Sequence, residues 1–160
     1  MHPLLRTLSL GGVLAVVVPI TNLSAQATDP AAGTWELNLA VSQFSPGPPP
    51  KSLTRTYEVT GARVRYTAKG IDADGKPTLV QFTAKYDGKD YPVTGSPDFD
   101  AISLTSIDAF KSEATLKKAG KVVQTTTRVV SKDGETLTLT VKGTNAKGQT
   151  VNDVLVFDKY

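Results

Sequence analysis

From residue 33 onward, apolar and polar side chains alternate along the chain, and turn residues separate the alternating stretches. In residues 53–60, for example, Leu53, Arg55, Tyr57 and Val59 fall on one face, while threonines and a glutamate fall on the other. Such alternation is typical of strands with one buried face, and Thr, Val and Tyr favour pleated backbone. The pattern predicts about nine strands, at residues 33–39, 53–60, 63–70, 78–86, 101–107, 111–119, 121–131, 135–144 and 150–158.

Short turns join most of these strands, among them Asp74-Gly75, Asp87-Gly88 and Asp133-Gly134. Asp-Gly between alternating segments is a strong hairpin signal. Consecutive antiparallel strands form a meander, and closing the meander on itself removes its exposed edges. We therefore predict an all-β fold, an antiparallel up-and-down meander barrel of about eight to ten strands, with an open sandwich as the alternative.

Two segments interrupt the alternation. Residues 43–50 are rich in proline, which excludes a helix or a regular ladder, so an extended arm is predicted over residues 43–52. Residues 89–100 form a long connector that contains Tyr91 and Phe99. Loops of this length in small domains are often functional, and both segments are predicted to border the barrel entrance.

The first 27 residues follow the plan of a secretory signal peptide. Arg6 gives a weakly positive start, residues 8–20 are apolar, and Ala25-Gln26-Ala27 offers small residues for a signal peptidase. The alternative, a membrane anchor, would need about 20 apolar residues. We predict cleavage after Ala27, which leaves residues 28–32 as a short N-terminal segment and 33–160 as a single β-barrel domain. The expected location is the bacterial periplasm or the exterior, with no membrane attachment after cleavage.

The composition excludes several kinds of catalytic and metal-binding site. The chain has no cysteine, and its single histidine is His2, inside the predicted signal peptide. Disulfides, Cys nucleophiles, Ser-His-Asp machinery and His–metal sites are therefore excluded from the processed chain. Its glutamates fall on polar strand faces or beside turns, where carboxyl groups do not acquire the raised pKa of a general acid. We expect no enzyme, no cofactor and no bound metal.

The net charge of +3 arises from 18 basic and 15 acidic side chains whose signs are interspersed. This distribution favours solubility and contains no cluster of basic residues of the kind that binds nucleic acid, so no nucleic-acid partner is predicted. The sequence leaves the oligomeric state open.

Gly33-Thr34-Trp35, followed by Leu37 and by Ser42 with Phe44, resembles the first strand of the calycin barrels, which are the lipocalins, fatty-acid-binding proteins and avidins. The resemblance implies that Trp35 plugs one end of a barrel and that a small ligand is held in its lumen. Several calycin features are missing: the two-helix lid, the carboxylate-binding Arg-x-Tyr near the C-terminus, the several tryptophans of avidins and an axial histidine. Lipocalins also end in a helix and cover the tryptophan with a basic residue, whereas a strand is predicted at this C-terminus.

Three further segments, at residues 86–97, 128–134 and 142–144, resemble segments of small exported bacterial proteins of no assigned activity. This second resemblance covers more of the chain than the first. It implies export and brings no function with it.

Alternation places two arginines, Arg55 and Arg128, on faces predicted to be internal. A buried guanidinium needs a partner, which can be an internal carboxylate or the carboxylate of a ligand, unless the side chain extends to water at a barrel end. The aromatic side chains Tyr57, Tyr66 and Phe82 are the further candidates for lining the lumen, either as ligand contacts or as core.

The sequence therefore predicts an exported, lipocalin-like protein that binds a small, partly apolar or amphipathic ligand in the barrel lumen. The alternative is a cell-envelope interaction module with a solid core and no ligand, including an inhibitor that presents a rigid loop. A cavity of about 300 Å³ or more distinguishes the binder from the module.

Overall fold

The structure, a computed structural model, describes residues 29–160, so the signal peptide predicted for residues 1–27 lies outside the described residues. The regular elements of the described part of the chain are all strands. They are β1 (Gly33–Leu37), β2 (Ser52–Thr60), β3 (Arg63–Ile71), β4 (Pro77–Lys85), β5 (Asp90–Thr94), β6 (Ala101–Ser106), β7 (Lys111–Lys118), β8 (Lys121–Val130), β9 (Thr136–Thr144) and β10 (Thr150–Lys159).

Each strand pairs antiparallel with its neighbours in sequence, and β1 also pairs with β10, so the sheet is a closed barrel. This confirms the predicted all-β antiparallel meander and its strand number. The alternation that suggested the strands also sets their faces. In β9, for example, Leu137, Leu139 and Val141 are buried, while the intervening threonines are less so.

The connector predicted for residues 89–100 is wrong in its first half, because residues 90–94 form β5. Pro92 disguised this strand, since proline lacks an N–H and is rare in central strands. The ladder from β4 reaches only Val93 and Thr94, so a residue without an N–H is tolerated one position earlier. Only the remainder of the connector crosses between strands as a loop.

The proline-rich arm completes the wall where β1 is short. β1 ends at Leu37, not at the predicted residue 39, and the arm then runs beside β10. Gln43 and Val154 exchange backbone hydrogen bonds of 2.7 and 2.9 Å, and the Ser45 amide donates to Asp153 Oδ1 at 2.7 Å. The arm therefore covers the part of the β10 edge that β1 leaves free.

The two ends of the barrel differ. One end, called the floor, is closed by Ala31, Trp35, Leu137 and Phe157, all of which are 0% exposed. The other end, called the mouth, is bordered by Pro50 of the arm, the β3–β4 turn at Asp72 and the β5–β6 loop at residues 95–100. Within residues 29–160, the structure has no helix that is long and apolar enough to span a membrane.

Candidate functional site

The barrel interior contains a cavity of about 340 Å³ that opens at the mouth. Its walls are mostly apolar, because the inward positions of the alternating strands carry aliphatic and aromatic residues. The apolar lining residues are Leu53, Val64, Ala68, Val80, Phe82, Ile102, Leu104, Ala114, Leu116, Leu139 and Val141. A partly apolar interior of this volume is at the lower end of the range for small-molecule sites, about 300–1,000 Å³.

An aromatic wall crosses three adjacent strands at one level. Tyr57, Tyr66 and Phe82 are direct cross-strand partners on β2, β3 and β4. The Tyr66 and Phe82 rings stack with their centroids 4.6 Å apart, and the Tyr57 and Tyr66 centroids are 5.1 Å apart. All three line the cavity, as expected from the alternation. The wall gives a ligand an aromatic surface, and its rings also contact two cations, Arg55 and Arg128, by cation–π interaction.

Arg55 lies on the cavity wall without a charged partner. Its Cζ is 5.5 Å from the Tyr66 ring centroid and 5.0 Å from that of Phe157. Its Nε is buried and has no hydrogen-bond partner, and no carboxylate of residues 29–160 forms an ion pair with it. Burial lowers the pKa of Arg55, but Tyr66 and Tyr57, the latter also through a side-chain hydrogen bond, raise it more, so the net direction is upward. The side chain is therefore a permanent cation facing an apolar lumen.

Arg128 has the charged partner that Arg55 lacks. Its Nη2 donates a 3.0 Å hydrogen bond to Tyr86 Oη and lies 3.6 Å from Asp29 Oδ1. Tyr86 Oη in turn donates to Asp29 Oδ2 at 3.0 Å. Burial raises the pKa of Tyr86 to about 12, so its hydroxyl keeps the proton that it donates. Together Asp29, Tyr86 and Arg128 form a closed polar triangle beside the floor, and we call these three residues the floor triad.

Sequence reasoning missed two members of the floor triad. The sequence pattern indicated that Tyr86 faces inward, because it follows Phe82 and Ala84 at the alternating spacing of a strand, although β4 itself ends at Lys85. Asp29 had none, since it precedes β1 and meets Arg128 only through the folded barrel. The structure places this acidic residue next to Arg128, where the sequence left the choice between an internal and a ligand carboxylate open.

Trp35 lies in the floor, beneath the cavity. Its Nε1 donates a 2.8 Å hydrogen bond to the Ala31 carbonyl, which holds residues 29–32 against the barrel. Lys159 Nζ is 4.2 Å from the Trp35 ring centroid and donates to the Ala32 carbonyl at 2.6 Å. A basic residue therefore does cover the tryptophan, supplied by the last strand and not by a helix.

The two residues predicted for the entrance loop, Tyr91 and Phe99, lie in different parts of the barrel. Phe99 lines the cavity at the mouth. Tyr91 does not, because β5 starts at the floor end and the Tyr91 hydroxyl donates to Asp87 Oδ2 in the β4–β5 turn, at 2.8 Å. The prediction that Tyr91 borders the entrance is wrong, and the reason is the unrecognised strand, which carries the chain from floor to mouth before the loop begins.

The β5–β6 loop at residues 95–100 reaches the far side of the barrel. Asp98 Oδ1 accepts a 2.7 Å hydrogen bond from the backbone N–H of Ala146 in the β9–β10 turn. In the ring of strands, this turn lies nearly opposite the β5–β6 loop. The loop is therefore a strap across the mouth, and its far end is attached through the Asp98 side chain.

Replacing Asp98 with alanine is expected to detach the strap. Loss of a hydrogen bond to a charged acceptor is worth about 1.5–3 kcal/mol, less at an exposed site, so amide exchange at Ala146 should accelerate about tenfold. Hydrogen-exchange NMR measures this directly. Asp72→Ala, which removes the equivalent acceptor of the Lys76 amide in another mouth turn, is the control. Equal protection of Ala146 in all three proteins would show that the strap is held by other contacts.

The site offers cationic and hydroxyl groups in an apolar enclosure. Within the described part of the chain, no group of three His, Cys, Asp or Glu residues is arranged to hold a metal ion. The arrangement is suited to holding an anionic group at Arg55 with an apolar portion along the aromatic wall.

No family model matches the chain, and the search of the curated proteins gives no match. Among solved structures, the chain is similar to the zebrafish ileal bile acid-binding protein, crystallised with cholic acid. The two share 14% identity over 82% of this chain and 99% of that chain, with a TM-score of 0.49.

Proposed function

We propose that this chain is an exported binding protein, not an enzyme, and that it holds a small, partly apolar anion in the barrel lumen. One observation carries the proposal. Arg55 is a cation on the wall of a 340 Å³ apolar cavity, its buried Nε has no partner, and no described carboxylate pairs with it.

Without a ligand, Arg55 is a half-buried cation, and no carboxylate in the described part of the chain pairs with it. Withdrawing a charge from water without an ion-pair partner is unfavourable, and the two ring contacts offset only part of that cost. A ligand carboxylate can accept two hydrogen bonds from one guanidinium, in the strong charge-assisted geometry. The apolar remainder of the ligand then lies along Leu53 and Val80, towards the mouth at Phe99.

The cavity also weighs against the alternative function. A solid-core interaction module requires a filled interior, whereas this interior exceeds the volume of about 300 Å³ that separates the two cases. Export is supported by the leader-like pattern of residues 1–27 and places the binding protein in the periplasm or outside a bacterial cell.

Arg55→Met tests the proposal. With decanoate as the probe, isothermal titration calorimetry is expected to show affinity reduced about 10–100-fold, because a charge-assisted hydrogen bond is worth about 1.5–3 kcal/mol. Stability should not decrease together with affinity. Replacing an unpaired buried cation with an apolar side chain of similar length should leave the melting temperature unchanged or raise it.

Arg65→Met is the matched control, because Arg65 is exposed on β3 with its side chain 65% accessible. It removes the same charge from the chain and should leave decanoate affinity unchanged. If wild-type protein binds no decanoate, or Arg55→Met binds it equally well, the proposal is wrong. A variant that loses stability but not affinity would assign Arg55 a structural role only.

A further inference from the structure

Three charged side chains determine the charge inside the lumen. Arg55 and Arg128 line the cavity, and Asp29 reaches Arg128 from below the floor. The other acidic residues beside the cavity lie towards solvent. Asp72 and Asp98 accept backbone hydrogen bonds at the mouth, and Glu113 is exposed on β7. The lumen therefore has two cations, Arg55 and Arg128, and one internal counter-ion, Asp29, which gives it a net charge of +1.

Asp29 is held in this position by several contacts. Its Oδ1 accepts the Ala31 amide at 2.9 Å, its Oδ2 accepts the Tyr86 hydroxyl, and its backbone carbonyl accepts the Ala32 amide at 2.8 Å. The Asp29 and Arg128 side chains are 16% and 11% exposed, so their attraction is only weakly screened by solvent. The carboxylate is therefore a fixed part of the barrel and not a mobile side chain that a ligand displaces.

The Arg128 guanidinium nevertheless faces the ligand space. It lies 5.1 Å from the Tyr57 ring centroid, and its Nε is buried without a hydrogen-bond partner. Without Asp29, this second cation would be available to a ligand head group. With Asp29 in place, its charge is already neutralised and Arg55 alone remains.

We propose that Asp29 is the residue that sets ligand charge specificity: by neutralising Arg128, it restricts the lumen to singly charged head groups, bound at Arg55. This inference rests on the proposed binding function and names the ligand class, an amphiphile with one negative charge. A doubly charged head group would leave one negative charge buried and unpaired, and burial of an unpaired charge is strongly unfavourable. Asp29 acts through Arg128 and does not contact the ligand, so it is a positioning residue.

The test compares two probes with the same alkyl chain, decanoate and decyl phosphate. At about pH 8 an alkyl phosphate is mostly a dianion, since its second pKa is about 6, whereas the carboxylate carries one charge. Wild-type protein is expected to bind decanoate more tightly than decyl phosphate. In Asp29→Asn, the dissociation constant of decyl phosphate divided by that of decanoate should fall about tenfold or more, because the freed Arg128 adds a charge-assisted contact to the phosphate. The asparagine retains an oxygen for the Ala31 amide.

Asp90→Asn is the matched control, since Asp90 pairs with Lys117 on the outer surface at 2.8 Å and its loss changes the net charge of the chain equally. Its probe ratio should equal that of wild type. If Asp29→Asn binds both probes at the wild-type ratio, the inference is overturned and the binding function survives. If wild-type protein binds neither probe, both fail. A loss of stability in Asp29→Asn with an unchanged ratio overturns the inference as well, because it assigns Asp29 to the floor alone.

Discussion

Replacing Trp35 with alanine is expected to lower the free energy of unfolding by about 3–5 kcal/mol, the range for removing a large aromatic side chain from a core. Trp35 is 0% exposed, and its ring is packed in the floor beneath Lys159. The change also removes the Nε1 donor, which leaves the Ala31 carbonyl without its partner and removes one of the contacts that hold the segment containing Asp29. The effect should therefore reach the floor triad as well as the core.

Chemical denaturation followed by far-UV circular dichroism measures this loss, since Trp35 is the single tryptophan and its fluorescence disappears with it. Tyr160→Ala is the control, because Tyr160 is 88% exposed, and its effect should stay within about 0.5 kcal/mol. Trp35→Phe separates packing from hydrogen bonding, because it keeps an aromatic ring and loses the donor. A loss below about 1 kcal/mol for the alanine variant would contradict the role of Trp35 in the floor.

Gly95→Ala is also expected to be severe, and the reason is the lack of space at the start of the strap. Gly95 has φ of +86°, and an added Cβ would collide with the carbonyl oxygen of Leu79 on β4. Backbone atoms of a strand cannot turn aside as a flexible side chain can. The strap and β4 must therefore move apart, which adds an overpacking cost of about 1–3 kcal/mol to the conformational cost of about 1–2 kcal/mol.

Gly88→Ala isolates the conformational part of that cost. Gly88 has φ of +71°, close to that of Gly95, but a Cβ added there meets nothing within 4 Å. The difference between the two variants in denaturant midpoint, at equal slope, measures the collision alone. Equal losses of stability in both variants would show that the strap yields to β4 without resistance.

The inward faces of the barrel could be predicted because strand parity is a local property. Alternation alone placed Arg55, Tyr57, Tyr66, Phe82 and Arg128 on one internal surface, and all of them line the cavity. Tyr91 was instead assigned to an entrance loop, whereas it lies on β5 towards the floor and packs against the core. Its position depended on β5, a five-residue strand with a proline in its middle.

Through-space pairing could not be predicted in the same way. Asp29 lies before the first strand and contacts Arg128 on β8, and no periodicity links the two. The volume left in the lumen was equally inaccessible, because it depends on how side chains from all the strands meet at the centre. The sequence therefore indicated that an arginine faces inward, while only the structure shows which arginine is already neutralised.

The closure of the ring has a consequence for the order of folding. β1 is hydrogen-bonded on one side to β2, which follows it closely, and on the other to β10, at the opposite end of the chain. Contacts between distant residues form slowly, because a long loop must first be ordered. On the proposed export route, the chain emerges from the membrane with its N-terminal part first, and the hairpins from β2 to β9 can assemble in turn while one side of β1 still lacks its partner. Residues 157–159 close the barrel by pairing with β1. Until they pair, the sheet is open and its edges are exposed, which is the state most prone to aggregation.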